Sequence, residues 1–204
     1  MINKQVGILG IVLLFVFTVI AFIFYPHENI CSDEIRGYKK KASLSLDTVR
    51  TKLSSVKASL RTEDNLKVPQ LKGLSIESFS ALRACDTHCK LLHRCLRFVF
   101  LTPPSEACPT EYSDYKKATK SAMVLINKLK GLELAANQTS NTANDLVSAR
   151  GKIEEVEKSA GATGAHLAIL KKRAEDIKGK LATALSAISH EIDIMLQDKK
   201  GVAE

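Results

Sequence analysis

From residue 32 onward the apolar side chains recur in alternating steps of four and three, the pattern of a helix that buries one narrow stripe. Ser32, followed by Asp33 and Glu34, offers a capping hydroxyl and then acids against the positive end of a helix. Ile35, Ala42, Val49 and Val56 repeat every seven residues, Leu46, Leu53 and Leu60 interleave with them, and Lys39 stands where a leucine would fit. This predicts a first helix over 32–62. RTEDNLKVPQLKG (61–73), with Pro69 and Gly73, reads as a connection. Ser75 then opens a second helix that should reach Leu101 before Pro103-Pro104 stops it, because proline restrains its neighbour and lacks an amide hydrogen. Its end, LRFVFL, is very apolar, so this helix should be the most buried.

A third helix opens near Thr110, with Tyr115, Ala118, Ala122, Leu125, Leu129, Leu132 and Ala136 as its seam. NQTSNTAND (137–145) is full of poor helix formers, and Thr142 with Asp145 has capping-box spacing. Thr139, Ala143 and Leu146 nevertheless keep the stripe unbroken. A turn and a continuous helix are equally compatible with the pattern. The last stretch carries two seam rows: Leu146, Ile153, Ala160, Leu167, Ala174, Leu181, Ile188 and Met195; and Ala149, Val156, Thr163, Leu170, Ile177 and Ala184. Read as one helix, it would be roughly 75 Å long, about twice the length of either of the first two. Part of it would then need another subunit. Gly151, Gly161, Gly164 and Gly179 each weaken a helix by about 1 kcal/mol relative to alanine, and permit close approach of a neighbour.

Ahead of this pattern, residues 6–25 (VGILGIVLLFVFTVIAFIFY) carry no charge. At about 1.5 Å per residue they span roughly 30 Å, the thickness of a bilayer core. Lys4 precedes the run, Tyr25 suits the interface and Pro26 ends it. A cleaved signal peptide is the rival, with Val19-Ile20-Ala21 as its site, but the run continues past that point and exceeds the usual length of about 7–15 apolar residues. A lipid anchor at Cys31 lacks the small residues it would need beforehand. Arg36 and Lys39-Lys40-Lys41 lie beyond the run, so a literal count of positive charges puts the bulk in the cytoplasm. Long soluble regions translocate regardless of such charges. The expectation is a single-pass anchor with the bulk periplasmic or extracellular, and the cytoplasmic orientation stays open.

Composition sharpens this. Residues 26–204 hold 29 of the 30 basic and all 22 acidic side chains but only three Phe, three Tyr and no Trp. Large aromatics fill much of a compact core, so an enzyme core is not expected. The expected fold is all-α, with a membrane anchor (1–26), a hairpin-like region with a cysteine cluster (32–109) and a long coiled-coil region (110–204) forming a coiled coil or elongated bundle.

The densest chemistry is CDTHCKLLHRC (85–95), followed by Cys108. On a helix Cys85, Cys89 and His93 share one stripe beside His88, which suits zinc in ligand type but matches no zinc-finger spacing. Disulfides are preferred. Within a helix Cys85 and Cys89 diverge, whereas the Pro-Pro turn can bring Cys108 back to Cys95, with Cys89–Cys108 as runner-up. Five cysteines leave at least one without an intrachain partner, and Cys31, near the anchor, is the candidate for a bridge to a second copy. HEIDIM (190–195) lacks the second histidine of a zinc-protease motif, no phosphate-binding glycine loop occurs, and Asn137-Gln138-Thr139 is a glycosylation acceptor in form, relevant only in a eukaryotic secretory setting.

No cofactor, catalytic residue, metal, nucleic acid or small-molecule substrate is expected. The expected partners are membrane lipids along 6–25, and a second copy or helical protein along Leu146, Ile153, Leu167, Leu170, Ile177, Leu181 and Ile188. The function expected is a non-enzymatic scaffold or assembly protein. A tethered helical-bundle sensor using the Cys/His stripe and an accessory subunit of a larger membrane complex are the alternatives.

Overall fold

The computed structural model describes residues 29–60, 65–97, 99, 102–159 and 163–197. Among the described residues the order is α1 (Asn29–Ser59), a 3₁₀ turn (Ile76–Ser78), α2 (Ser80–Leu96), α3 (Pro104–Ala107), α4 (Pro109–Lys158) and α5 (Gly164–Gln197). The fold is all-α. Among the described residues no helix is long and apolar enough to cross a membrane, and the run 6–25 lies outside them.

The 4,3 stripe of α1 is buried as expected, from Ile35 through Ala42, Leu46, Val49 and Leu53 to Val56. The helix begins at Asn29, three residues before Ser32. Ser75 caps the 3₁₀ turn, where its amide donates to Ser78 Oγ. Phe79 is extended there, so α2 starts at Ser80. It ends at Leu96, short of the expected Leu101, and Pro109 at the first position of α4 fits because that amide hydrogen is not needed.

The spine is α4, 50 residues and about 75 Å long, on which every other α-helix packs. It runs straight through 137–145, which settles that ambiguity in favour of one helix. Thr139 and Thr142 are accommodated by donating their hydroxyls to the carbonyls of Ala135 and Gln138. Burial of Ala136, Thr139, Ser140, Ala143 and Leu146 compensates for poor propensity.

The expected unbroken helix over 146–195 does not form. α4 stops at Lys158, with Ser159 extended, and α5 begins at Gly164, where the amides of His166 and Leu167 reach Thr163 O. Gly161 and Gly164 fall within four residues in SAGATG, and each glycine disfavours a helix by about 1 kcal/mol relative to alanine. Part of the seam is consequently covered within the chain. Leu181 (0% exposed) and Ile188 (1%) of α5 are buried in the same core as Leu146 (1%) of α4. The inference that the last helix needs another subunit to cover it is corrected by this fold-back.

Helix directions follow from the contacts. Lys39 pairs with Asp86 while Cys31 meets Cys89, so α2 runs antiparallel to α1. Cys85 lies against Thr119 and Cys95 meets Cys108, so α2 runs antiparallel to α4 as well. α1 and α4 therefore run parallel, with Tyr115 bonded to Glu34. Lys171 pairs with Glu157 near the turn, and Met195 lies with Leu125 and Lys128, so α5 runs antiparallel to α4. The end of α5 then meets the start of α2: Met195 shares a cleft with Phe79 and Ser80, and Leu196 lies 3.4 Å from the position of a Cβ on Gly73. Gly73 has φ +87°, a conformation that side-chain-bearing residues avoid. Arg50 ties the connection down by donating to Leu74 O at 2.7 Å.

Candidate functional site

The chemistry collects at one end of the rod, the base, where the start of α1, the end of α2, the Pro103–Pro104 turn and the start of α4 converge. Two cysteine pairs staple it. Cys95 and Cys108, the pair preferred from the sequence, have Cα atoms 6.2 Å apart across the turn. Cys31 and Cys89 join α1 to α2 with Cα atoms 5.8 Å apart. The second pairing corrects two expectations. Cys31 is bonded within its own chain and is not available to a second copy, and Cys89 is not the partner of Cys108. The antiparallel packing of α1 and α2 sets Cys31 opposite Cys89, and this register is invisible to local spacing.

The odd cysteine is therefore Cys85. It is buried, with Sγ 3.7 Å from Thr119 Oγ1, and burial pushes its thiol pKa up, so it stays protonated and inert. The Cys85/Cys89/His93 stripe does not survive as a ligand set, because Cys89 is committed to Cys31. Cys95, Cys108 and Glu111 cluster within 4.8 Å, but the two sulfurs bond each other and offer no thiolate.

Between the staples lies a cleft of about 440 Å³. Leu92, Leu96, Pro103, Pro104 and the rings of Tyr112 and Tyr115 supply most of its wall, and Glu34, His93, Ser105 and Lys116 its polar atoms. Glu34 is the electrostatic centre. Tyr38, one turn ahead on α1, and Tyr115 of α4 both donate their hydroxyls to its carboxylate. Burial pushes the Glu34 pKa up, but the two phenols and the nearby Lys116 charge outweigh it, and the net shift is downward. The carboxylate is ionised and already hydrogen-bonded. Burial, and then the bond to Glu34, pushes Tyr38 up to about 12 and Tyr115 up as well. Lys116 Nζ lies 5.6 Å from the centre of the Tyr112 ring.

Sequence reasoning missed this cluster. Glu34 read as a helix-start acid and Tyr115 as a seam residue, and only the parallel packing of α1 on α4 joins them across 81 positions. The sole available signal was the scarcity of tyrosine: three of the four fall at 38, 112 and 115.

At the far end, the seam residues divide. Leu146, Leu181 and Ile188 are fully buried, while Ile153, Leu167, Leu170 and Ile177 are half-buried, with only two helices to share them. Ile169 is 65% exposed beside them. Leu185 and Ile192 are buried in place of the expected Ala184 row, because a 3.6-residue helix drifts about 20° per heptad against a strict seven-residue repeat. The acceptor form at Asn137 is structurally unsuited to modification, since Thr139 is 1% exposed and bonded to Ala135 O.

No protein-family model matches the chain, and neither a curated protein nor a solved structure matches it.

Proposed function

We propose that the protein is a non-enzymatic scaffold, anchored by residues 6–25, whose helical rod holds an assembly surface away from a membrane. The observation that carries this reading is the polarity of the rod. Its stapled base begins six residues after the apolar run, and its other end is a two-helix hairpin in which α5 packs along α4, meeting α2 only near the end of α5 among the described helices. Two cysteine pairs suit an oxidising compartment, which supports placing the bulk outside the cytoplasm. The half-buried stripe of the hairpin, with Ile169 exposed beside it, supports recruitment of a further helix from a second copy or another protein. The metal-sensing alternative is less favoured, because Cys89 is committed to Cys31 and Cys85 is buried as a protonated thiol.

Cross-linking mass spectrometry on native membranes tests the reading. The expected result is carbonate-resistant membrane attachment, with intermolecular cross-links concentrated in 150–180. A freely soluble chain, or cross-links confined to the chain itself, would overturn it. A cysteine placed at the exposed Ser186 should label from outside intact cells or spheroplasts, and labelling only after permeabilisation would reverse the orientation.

A further inference from the structure

We propose that the cleft at the base takes one acyl chain of an anionic phospholipid, with its phosphate held at the mouth by Lys116 and the imidazole of His93. The inference rests on the membrane-anchored reading and adds a specific lipid site to it.

Three observations carry it. The first is position. Cys31 lines the cleft and stands six residues beyond Tyr25, the last residue of the apolar run. Six residues of chain reach at most about 20 Å, so an anchored protein keeps the cleft within about that distance of the apolar run, close to the membrane surface.

The second is shape and lining. At about 440 Å³ the cleft is within the range of ligand sites, roughly 300–1,000 Å³, and its wall is mostly carbon. Its one carboxylate, Glu34, is already engaged by Tyr38 and Tyr115, so the interior does not call for a cationic ligand. Lys116 and Ser105 are exposed and His93 is half-buried, which puts the groups that suit a phosphate at the rim.

The third is charge. The base, taken as 31–41, 86–97 and 102–120, carries ten Lys or Arg against six Asp or Glu. Lys40 and Lys41 are exposed, and Arg36 beside them is exposed too, though paired with Asp33 at 3.5 Å. A basic surface of this kind is drawn to anionic lipid. Basic residues alone would bind headgroups without selecting a chain. The apolar cleft next to them supplies a place for the tail.

The full-length protein, extracted in mild detergent and placed in nanodiscs of phosphatidylcholine alone or mixed with phosphatidylglycerol, provides the test. Native mass spectrometry should find a single phosphatidylglycerol retained per chain and no retained phosphatidylcholine. Ser105→Trp, which fills the mouth, and Lys116→Glu, which reverses the charge there, should each lower retention about tenfold. Lys130→Glu, exposed on α4 away from the base, should leave it unchanged. Circular dichroism and intact mass should show helix content and both disulfides preserved in all three variants. Equal retention in wild type and both cleft variants, retention of phosphatidylcholine as well, or retention of added oleate in place of phospholipid would each overturn the proposal. Carbonate extraction separates the two readings. Resistant attachment without lipid retention sinks the cleft assignment alone, whereas loss of attachment sinks the anchored scaffold.

Discussion

The base and the distal hairpin are built from the same kind of amphipathic helix but are stabilised by different means. At the base three helices meet, two disulfides close loops of different span, and a carboxylate is gripped by two tyrosines. In the hairpin only α4 and α5 pair, most of the seam is Ala or half-buried aliphatic residues, and Lys171–Glu157 is an exposed ion pair of little weight. Leu82, Val49 and Ala122 are sealed, while Ile153 and Leu167 near the tip of the hairpin are only half-buried. The two ends therefore suit different work: the base keeps its geometry, and the hairpin has an apolar stripe to share.

The largest way to break that contrast is to poison the hairpin. Leu181→Asp removes a fully buried side chain and inserts a charge into a dry seam. The expected loss is about 4 kcal/mol or more, from lost packing plus desolvation. Hydrogen exchange should show α5 and the end of α4 opening while amides of α1 and α2 at the base stay protected. Simultaneous loss at both ends would show that the rod unfolds as one unit and that the division is wrong. Lys178→Asp, off the seam, is the control and should lie within about 0.5 kcal/mol of wild type.

The next largest effect breaks the base. In the chain-entropy model the Cys31–Cys89 link, spanning 58 residues, contributes about 4 kcal/mol and the Cys95–Cys108 link, spanning 13, about 3 kcal/mol. Paired Cys→Ala variants should lower the urea midpoint in that order. The reverse order would point to native strain or to residual structure in the unfolded chain.

A smaller effect isolates Glu34. Tyr115→Phe deletes one donor to the carboxylate and should cost about 1–2 kcal/mol, measured by thermal unfolding. The pH dependence follows from the shift directions. Glu34 has a folded pKa below its ordinary 4.5, so its contribution is present above that value and lost as pH falls through the folded pKa. Tyr38 is raised from 10.0 to about 12, so its contribution is complete below pH 10.0 and lost as pH rises towards about 12. Alkaline unfolding that is unchanged by Tyr38→Phe would contradict this.

The smallest change sharpens the comparison from the hairpin side. A Cβ on Gly151 meets nothing within 4 Å, so Gly151→Ala should stabilise α4 by about 1 kcal/mol. Slower exchange around 145–158, with no change at the base, is the expected readout.

Periodicity announces which side chains are buried, and it did so for Ile35 to Val56 and for Leu129, Leu146, Leu181 and Ile188. It is silent on what covers them. A stripe buried by the same chain and one buried by a second chain have the same spacing, so Leu181 against α4 could not be told from Leu181 against a partner. The Cys95–Cys108 pair was legible because a Pro-Pro turn brings near neighbours together, whereas Cys31–Cys89 depends on how two separate helices slide past each other. Gly161 and Gly164 were visible as weak points, but whether they admit a close neighbour or break the helix depends on the packing energy available on either side.

What the amino-acid order determined by itself is local: helical class, the buried stripe on each helix, the stops at Pro103-Pro104 and the glycine weak points. Those properties arise from φ/ψ preference and side-chain spacing within a few turns. Only the tertiary structure decided the fold-back of α5 on α4, the Cys31–Cys89 staple, the one-residue drift that buries Leu185, and the meeting of Glu34 with Tyr115. Each depends on the register between helices far apart in sequence. That register is set by the summed packing of many small apolar contacts, to which no short segment of the chain has access.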